Sequence, residues 1–184
     1  MKKLVPSIFT AALVAVTLAC GVGPANAQLF LSSRAKIGYK INPVSPLNLS
    51  HKDPNLVGLG SYWVNAMAGC NDCHSAAPYA SGGNPFLGQP KKINSATYLN
   101  GGMCFGPFES RNITPDTNGL PAGLTLKEFI NVIRTGDDPE DPGTLLQVMP
   151  WPDFQNLTNR DLTAIYSYLS AIPSLPTPDV TCVP

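Results

Sequence analysis

Apolar residues recur at helical spacing in three stretches of the chain. Behind Asp53 as N-cap and Pro54 at the first helical position, Leu56, Leu59, Trp63 and Met67 form a stripe of the kind a core fills, so a helix is expected to run into Cys70. Thr125 and Glu128 have the spacing of a capping box; Leu126, Phe129, Ile130 and Ile133 follow on one face, and Gly136 marks the stop. The third stretch is capped by Thr158, has Asp161 in its first turn, and carries Leu162, Ile165, Tyr166, Leu169 and Ile172 before Pro173. No segment sustains the alternation a sheet needs, so the pattern predicts an all-α chain of about three main helices joined by long loops.

Between these stripes the pattern lapses. Residues 28–52, with Pro43 and Pro46 and no periodicity, are expected to form an extended N-terminal arm. About fifty residues separate Cys73 from Thr125, broken by Gly82-Gly83, Pro85, Pro90, Gly101-Gly102, Pro107 and Pro115. So long a loop in a compact domain needs something to wrap, and a large buried cofactor would supply the apolar surface it lacks.

At the start of the chain, Met1-Lys2-Lys3, the apolar run 4–19 and Ala25-Asn26-Ala27 have the three parts of a secretory signal. Cleavage after Ala27 divides the chain into a signal (1–27), the arm (28–52) and one domain (53–184). The run is shorter than the roughly 20 residues that span a bilayer, so a periplasmic protein without a transmembrane anchor in the mature chain is expected. Cys20 suggests lipidation instead, but Thr17 stands where lipoprotein signals want Leu. Without Lys2 and Lys3 the chain has 10 basic against 12 acidic residues, a balance that argues against a nucleic-acid partner.

Four cysteines remain after such cleavage, and their spacing separates their uses. Cys70-Asn71-Asp72-Cys73-His74 is the C-x-x-C-H pattern of covalent haem attachment, in which two thiols bond the porphyrin and the adjacent imidazole faces the iron. A disulfide, a thioredoxin-like pair or half a zinc site fit less well: no βαβ setting surrounds the motif, and only His51, Cys104 and Cys182 are left as further ligands. Cys104 and Cys182 are expected to join in an oxidising compartment, tying the tail to the long loop.

For the second axial position the chain offers Met67, Met103, Met149 and His51. Met149 leads, because Pro150 holds it out of helical geometry, Pro152 stiffens the loop, and Trp151 is placed to shield the haem face from water. Met67 fits the core stripe better, Met103 stays open as an alternative, and His51 reads as an exposed residue beside a helix cap. The acidic run Asp137, Asp138, Glu140 and Asp141 reads as a solvated turn.

These motifs, with Asn112-Ile113-Thr114-Pro115-Asp116, Arg134-Thr135-Gly136, Met149-Pro150-Trp151, Phe154 and Ala164-Ile165-Tyr166, resemble a class I cytochrome c domain over roughly residues 54–173. The resemblance is strongest to the cytochrome subunits of bacterial membrane dehydrogenases for alcohols, aldehydes and gluconate. It implies a small fold whose first and last helices cross, one haem c, His74 and Met149 as the axial pair, and Arg111 and Asn112 near the propionates. Those subunits carry three haem motifs, whereas this chain has one. The expected function is single-electron transfer with redox protein partners, a dehydrogenase or an oxidase among them. The rivals are a haem oxidoreductase acting on a small sulfur compound or peroxide, and a haem sensor or structural subunit.

Overall fold

The computed structural model describes residues 31–183, so the expected signal and Cys20 lie outside the described residues. Its first helix, α1 (Ser33–Ile41), starts where extended Ser32 accepts the Ala35 amide on its hydroxyl. The segment 28–52, expected to be extended, therefore contains a nine-residue helix. Its packing face explains why no stripe announced it. Ala35 and Gly38 are the buried residues, while Ile37 and Ile41 are 45% and 36% exposed.

That smooth face meets α2 (Pro54–Tyr62), which Asp53 caps through the Asn55 amide. The approach is backbone to backbone: a Cβ on Gly38 would stand 1.8 Å from the Gly58 carbonyl oxygen. Gly60, about 200° around the same helix, faces the other way. There a Cβ would stand 1.9 Å from the Ala164 carbonyl oxygen of α5 (Asn159–Leu169). Helix α2 is thus clasped between α1 and α5 through two glycines.

The chain does not run helically into Cys70. After α2 it widens into a π-helical turn, Trp63–Met67, closed by the Ala68 amide on the Trp63 carbonyl at 2.8 Å. Gly69 then turns left-handed at φ +60° and a tight 3-10 turn, Cys70–Asp72, begins. The break ends the stripe early, and Met67, expected in the core, is 59% exposed.

The other stripes give α3 (Leu126–Thr135) and α5, each with its capping box formed, Thr125 with Glu128 and Thr158 with Asp161. A short α4 (Trp151–Phe154) lies between them. The described residues therefore hold five α-helices rather than about three. Ile172, read as the end of the last stripe, lies beyond α5 but is still buried. One small hairpin, β1 (Cys104–Phe105) with β2 (Phe108–Glu109), pairs Cys104 with Glu109.

Val57, Val64, Tyr98, Leu99, Leu162 and Tyr168 fill the centre. A buried polar network runs through it. The Tyr168 hydroxyl donates to Asn42 at 2.7 Å and lies 3.0 Å from that of Tyr98, which donates to Asn65 at 2.7 Å. Asn65 donates back to the Ser61 carbonyl at 3.0 Å, and the Ser61 hydroxyl reaches the Gly38 carbonyl at 2.8 Å.

Outside the helices, the chain's final segment straps the long loop. Asn112 donates to the Leu175 carbonyl at 2.8 Å and to the Thr177 hydroxyl at 3.1 Å, and Asn100 donates to the Pro176 carbonyl at 3.1 Å. A disulfide between Cys104 and Cys182, with Cα atoms 5.4 Å apart, fastens the strap. No helix among the described residues is long and apolar enough to cross a membrane.

Candidate functional site

The 3-10 turn Cys70–Asp72 puts three side chains of the motif in different settings: Cys70 is half-buried against the core, Cys73 is exposed, and His74 is half-buried. Both thiols are free. Burial pushes the Cys70 thiol up to about 12, and burial with the Asp72 carboxylate also raises that of Cys73.

Two strands of loop grip His74. Its amide donates to the Cys70 carbonyl at 2.9 Å, and its own carbonyl accepts the Gly101 amide at 2.7 Å. Nδ1 donates to the Arg111 carbonyl at 2.8 Å. Burial lowers the imidazole's affinity for a proton, so the ring is held neutral with its remaining nitrogen, Nε2, bearing the lone pair. The two strands can only come together at a glycine. Gly101 has φ +80°, and a Cβ there would stand 2.5 Å from the Asn112 amide nitrogen.

Sequence reading passed over the residues that shape this turn. Asn71, between the cysteines, donates to the Pro78 carbonyl at 3.0 Å and accepts the Ser75 hydroxyl at 2.9 Å; Ser75 in turn accepts the Leu99 amide at 2.9 Å. Tyr79 donates its hydroxyl to Asp72. Only the clustering of Asn, Ser and Asp around the motif hinted at this, since those side chains readily replace backbone partners in turns.

Met149 is half-buried and packs on the same core cluster as Cys70. Pro150, at φ −77° and ψ 53°, forms an inverse γ-turn closed by the Trp151 amide on the Met149 carbonyl at 2.8 Å. The methionine is thereby held one residue ahead of α4. Trp151 lies with its indole over Gly136, and its ring N–H donates to the Leu146 carbonyl at 3.3 Å. It closes the base of the loop 136–146.

Arg111 and Asn112, expected near the propionates, are each held by partners within the chain. The Arg111 guanidinium pairs with Asp138 and with Glu140 at 3.2 Å, so two of the acids read as solvated are ion-paired. Asn112 divides its amide between the strap and Thr114, whose amide donates to its oxygen at 2.9 Å. Of the remaining ligand candidates, His51 is exposed at φ +57°, and Met103 is half-buried with its amide on the Ser110 hydroxyl at 2.9 Å.

The donor set fits a covalently held haem. Two free thiols sit three residues apart while the other pair is spent in a disulfide, and the adjacent imidazole is neutral with one nitrogen committed to a carbonyl and the other left to bind a metal.

No known family profile matches the chain. It is 29% identical over 137 residues to the cytochrome c subunit of the alcohol dehydrogenase (quinone) of Gluconobacter oxydans, covering 73% of this chain and 25% of that protein. The corresponding subunit of Komagataeibacter europaeus is 33% identical over 119 residues, 63% of this chain and 22% of that one. The gluconate 2-dehydrogenase cytochrome c subunit of Pantoea cypripedii is 31% identical over 113 residues, 61% and 22%. The chain thus spans a quarter or less of the length of these relatives. Its relatives are cytochrome c subunits of alcohol and gluconate dehydrogenases, alike at modest identity over part of the chain, as a cytochrome c domain would be.

Proposed function

We propose that this chain is a periplasmic electron-transfer protein of class I cytochrome c fold, with one haem c bonded to Cys70 and Cys73 and His74 and Met149 as axial ligands. The observation that carries the reading is the Nδ1 to Arg111 bond, which fixes the tautomer and leaves Nε2 as the donor in a motif whose thiols are free. When bound, the haem supplies a one-electron couple, and a thioether opposite an imidazole raises its potential above that of two imidazoles. The protein's own work is to hold the ligands and exclude water. Ser75, Asn71 and Gly101 fix the turn that presents His74, and the Pro150 γ-turn presents Met149. Were His74 and Met149 both to hold the iron, a substrate would find no open position there, which favours a carrier over an enzyme. The relatives' names support a dehydrogenase as electron donor.

Extraction of the matured protein with acidified acetone tests the attachment: colour is expected to stay with the protein, and haem in the organic layer would overturn it. Met149→Ala is expected to abolish the weak sulfur-to-iron band at the red end of the oxidised spectrum, lower the potential and admit carbon monoxide. An unchanged band would remove Met149 from the iron and bring forward Met103.

A further inference from the structure

The loop 79–93 leaves the motif and returns to it as a braced finger. Tyr79 and Ile93 pair across its base, the Ala80 amide donates to the Lys92 carbonyl, and the Lys92 amide donates to the Gly83 carbonyl, both at 2.9 Å. At the tip Asn84 caps a single turn, Pro85–Leu87, by accepting the Phe86 amide, and its own amide donates to the Gln89 side chain at 2.9 Å.

What this frame holds out is apolar. Phe86 is 78% exposed and Leu87 71%, side by side. A loop with its backbone satisfied at base and tip has lost most of its conformational freedom already, so little entropy remains to be lost when a partner covers those side chains. Exposed aromatic and aliphatic anchors held in advance are what dense, desolvated interface centres are made of.

The finger's root lies at the cofactor motif. Phe86 meets the Tyr79 ring edge-on, with centroids 6.2 Å apart, and Tyr79 donates to Asp72, which stands between the two cysteines beside exposed Cys73. Beyond the Asp72 carboxylate at that root, the finger is basic: residues 73–108 contain no Asp or Glu, and Lys91 and Lys92, both exposed, are their only Lys or Arg residues.

We infer that the loop 79–93 is a docking finger for an electron-transfer protein presenting an apolar socket rimmed by carboxylates. The inference rests on the haem reading above and adds where the partner sits, on the side of the motif where Cys73 is exposed. A lipid surface fits less well, since two lysines and two apolar side chains are few for holding a protein on a bilayer. A second copy of the chain fits less well too. In the acidic loop that would face the lysines, Asp138 and Glu140 are taken up by Arg111.

The test uses reduced holoprotein and the acidic copper protein plastocyanin as probe, followed by stopped flow. One electron passes from the holoprotein to the copper, with no bond made or broken. The wild-type rate is expected to fall with rising salt, as for opposite charges. Phe86→Ala with Leu87→Ala is expected to slow it about tenfold, and Lys91→Glu with Lys92→Glu to reverse the salt dependence. Oxidation by tris(phenanthroline)cobalt(III), which needs no docking, should be unchanged in the Phe86→Ala with Leu87→Ala variant and, the complex being a trication, not slowed by the charge reversal. Wild-type rates toward plastocyanin in both would overturn the inference. So would finger-dependent sedimentation with phosphatidylglycerol vesicles, or a dimer in sedimentation that Phe86→Ala dissolves. A protein that never acquires covalent haem would instead defeat the underlying reading, and its lack of colour tells the two failures apart.

Discussion

The helices and the long loops of this molecule are held together by different means. Helices α1, α2 and α5 meet through side chains that are missing, with Gly38, Gly58 and Gly60 letting backbones touch. The segment 75–124 has almost no regular structure, and polar side chains reaching distant backbone hold it: Ser75 to Leu99, Asn112 to Leu175, Asn100 to Pro176, and the disulfide. The helical part is therefore sensitive to added volume, and the looped part to lost partners.

The sharpest way to break the helical part is Gly60→Ala. Alanine favours a helix by about 1 kcal/mol over glycine, but its methyl would press on the Ala164 backbone, and overpacking costs up to about 3 kcal/mol or more. Urea unfolding is expected to show a net loss of about 2 kcal/mol or failure to fold; a stabilised variant would show that the helices have room. Replacing Cys104 and Cys182 together by serine acts only on the strap. Closing a loop of 78 residues contributes roughly 4 kcal/mol by chain entropy, less where the open chain keeps structure, so about 2 to 4 kcal/mol should be lost while far-ultraviolet circular dichroism stays unchanged.

The smallest effect belongs to Asp138. Burial works to raise its pKa, but Arg111 and the amides of Glu140 and Asp141 outweigh it and hold the carboxyl below its ordinary value. The stability this contributes is complete above the unfolded carboxylate pKa of about 3.9 and disappears as pH falls through the lower folded value. Asp138→Asn should flatten the acid limb of the stability curve below about pH 4, by less than either change above, because the pair is partly open to water. An unaltered limb would mean that the Arg111 pair does not help hold the loop.

How much was legible in the sequence follows the same division. Helices α3 and α5 were readable because their caps and stripes are local, and the capping boxes at Thr125 and Thr158 form as spaced. Helix α1 was invisible because its contact face is Ala35 and Gly38, which carry no hydrophobic signal. The stripe ahead of Cys70 misled because a π-turn rotates Met67 out of register and Gly69 then stops the helix. Within the candidate site, Cys70, Cys73 and His74 were singled out by their spacing alone. The carbonyl that orients His74 belongs to Arg111, 37 residues away, and no local pattern reports a backbone partner at that distance.

The buried network of Tyr98, Tyr168, Asn65, Asn42 and Ser61 belongs to neither part, since Tyr98 comes from the long loop and the others from the helices and their ends. If either part opened alone, hydroxyl and amide groups of the other would lose their partners, a loss that is costly wherever water cannot replace them. The network therefore couples two regions stabilised by unlike forces, because neither can give up its share of these bonds without unpairing groups of the other.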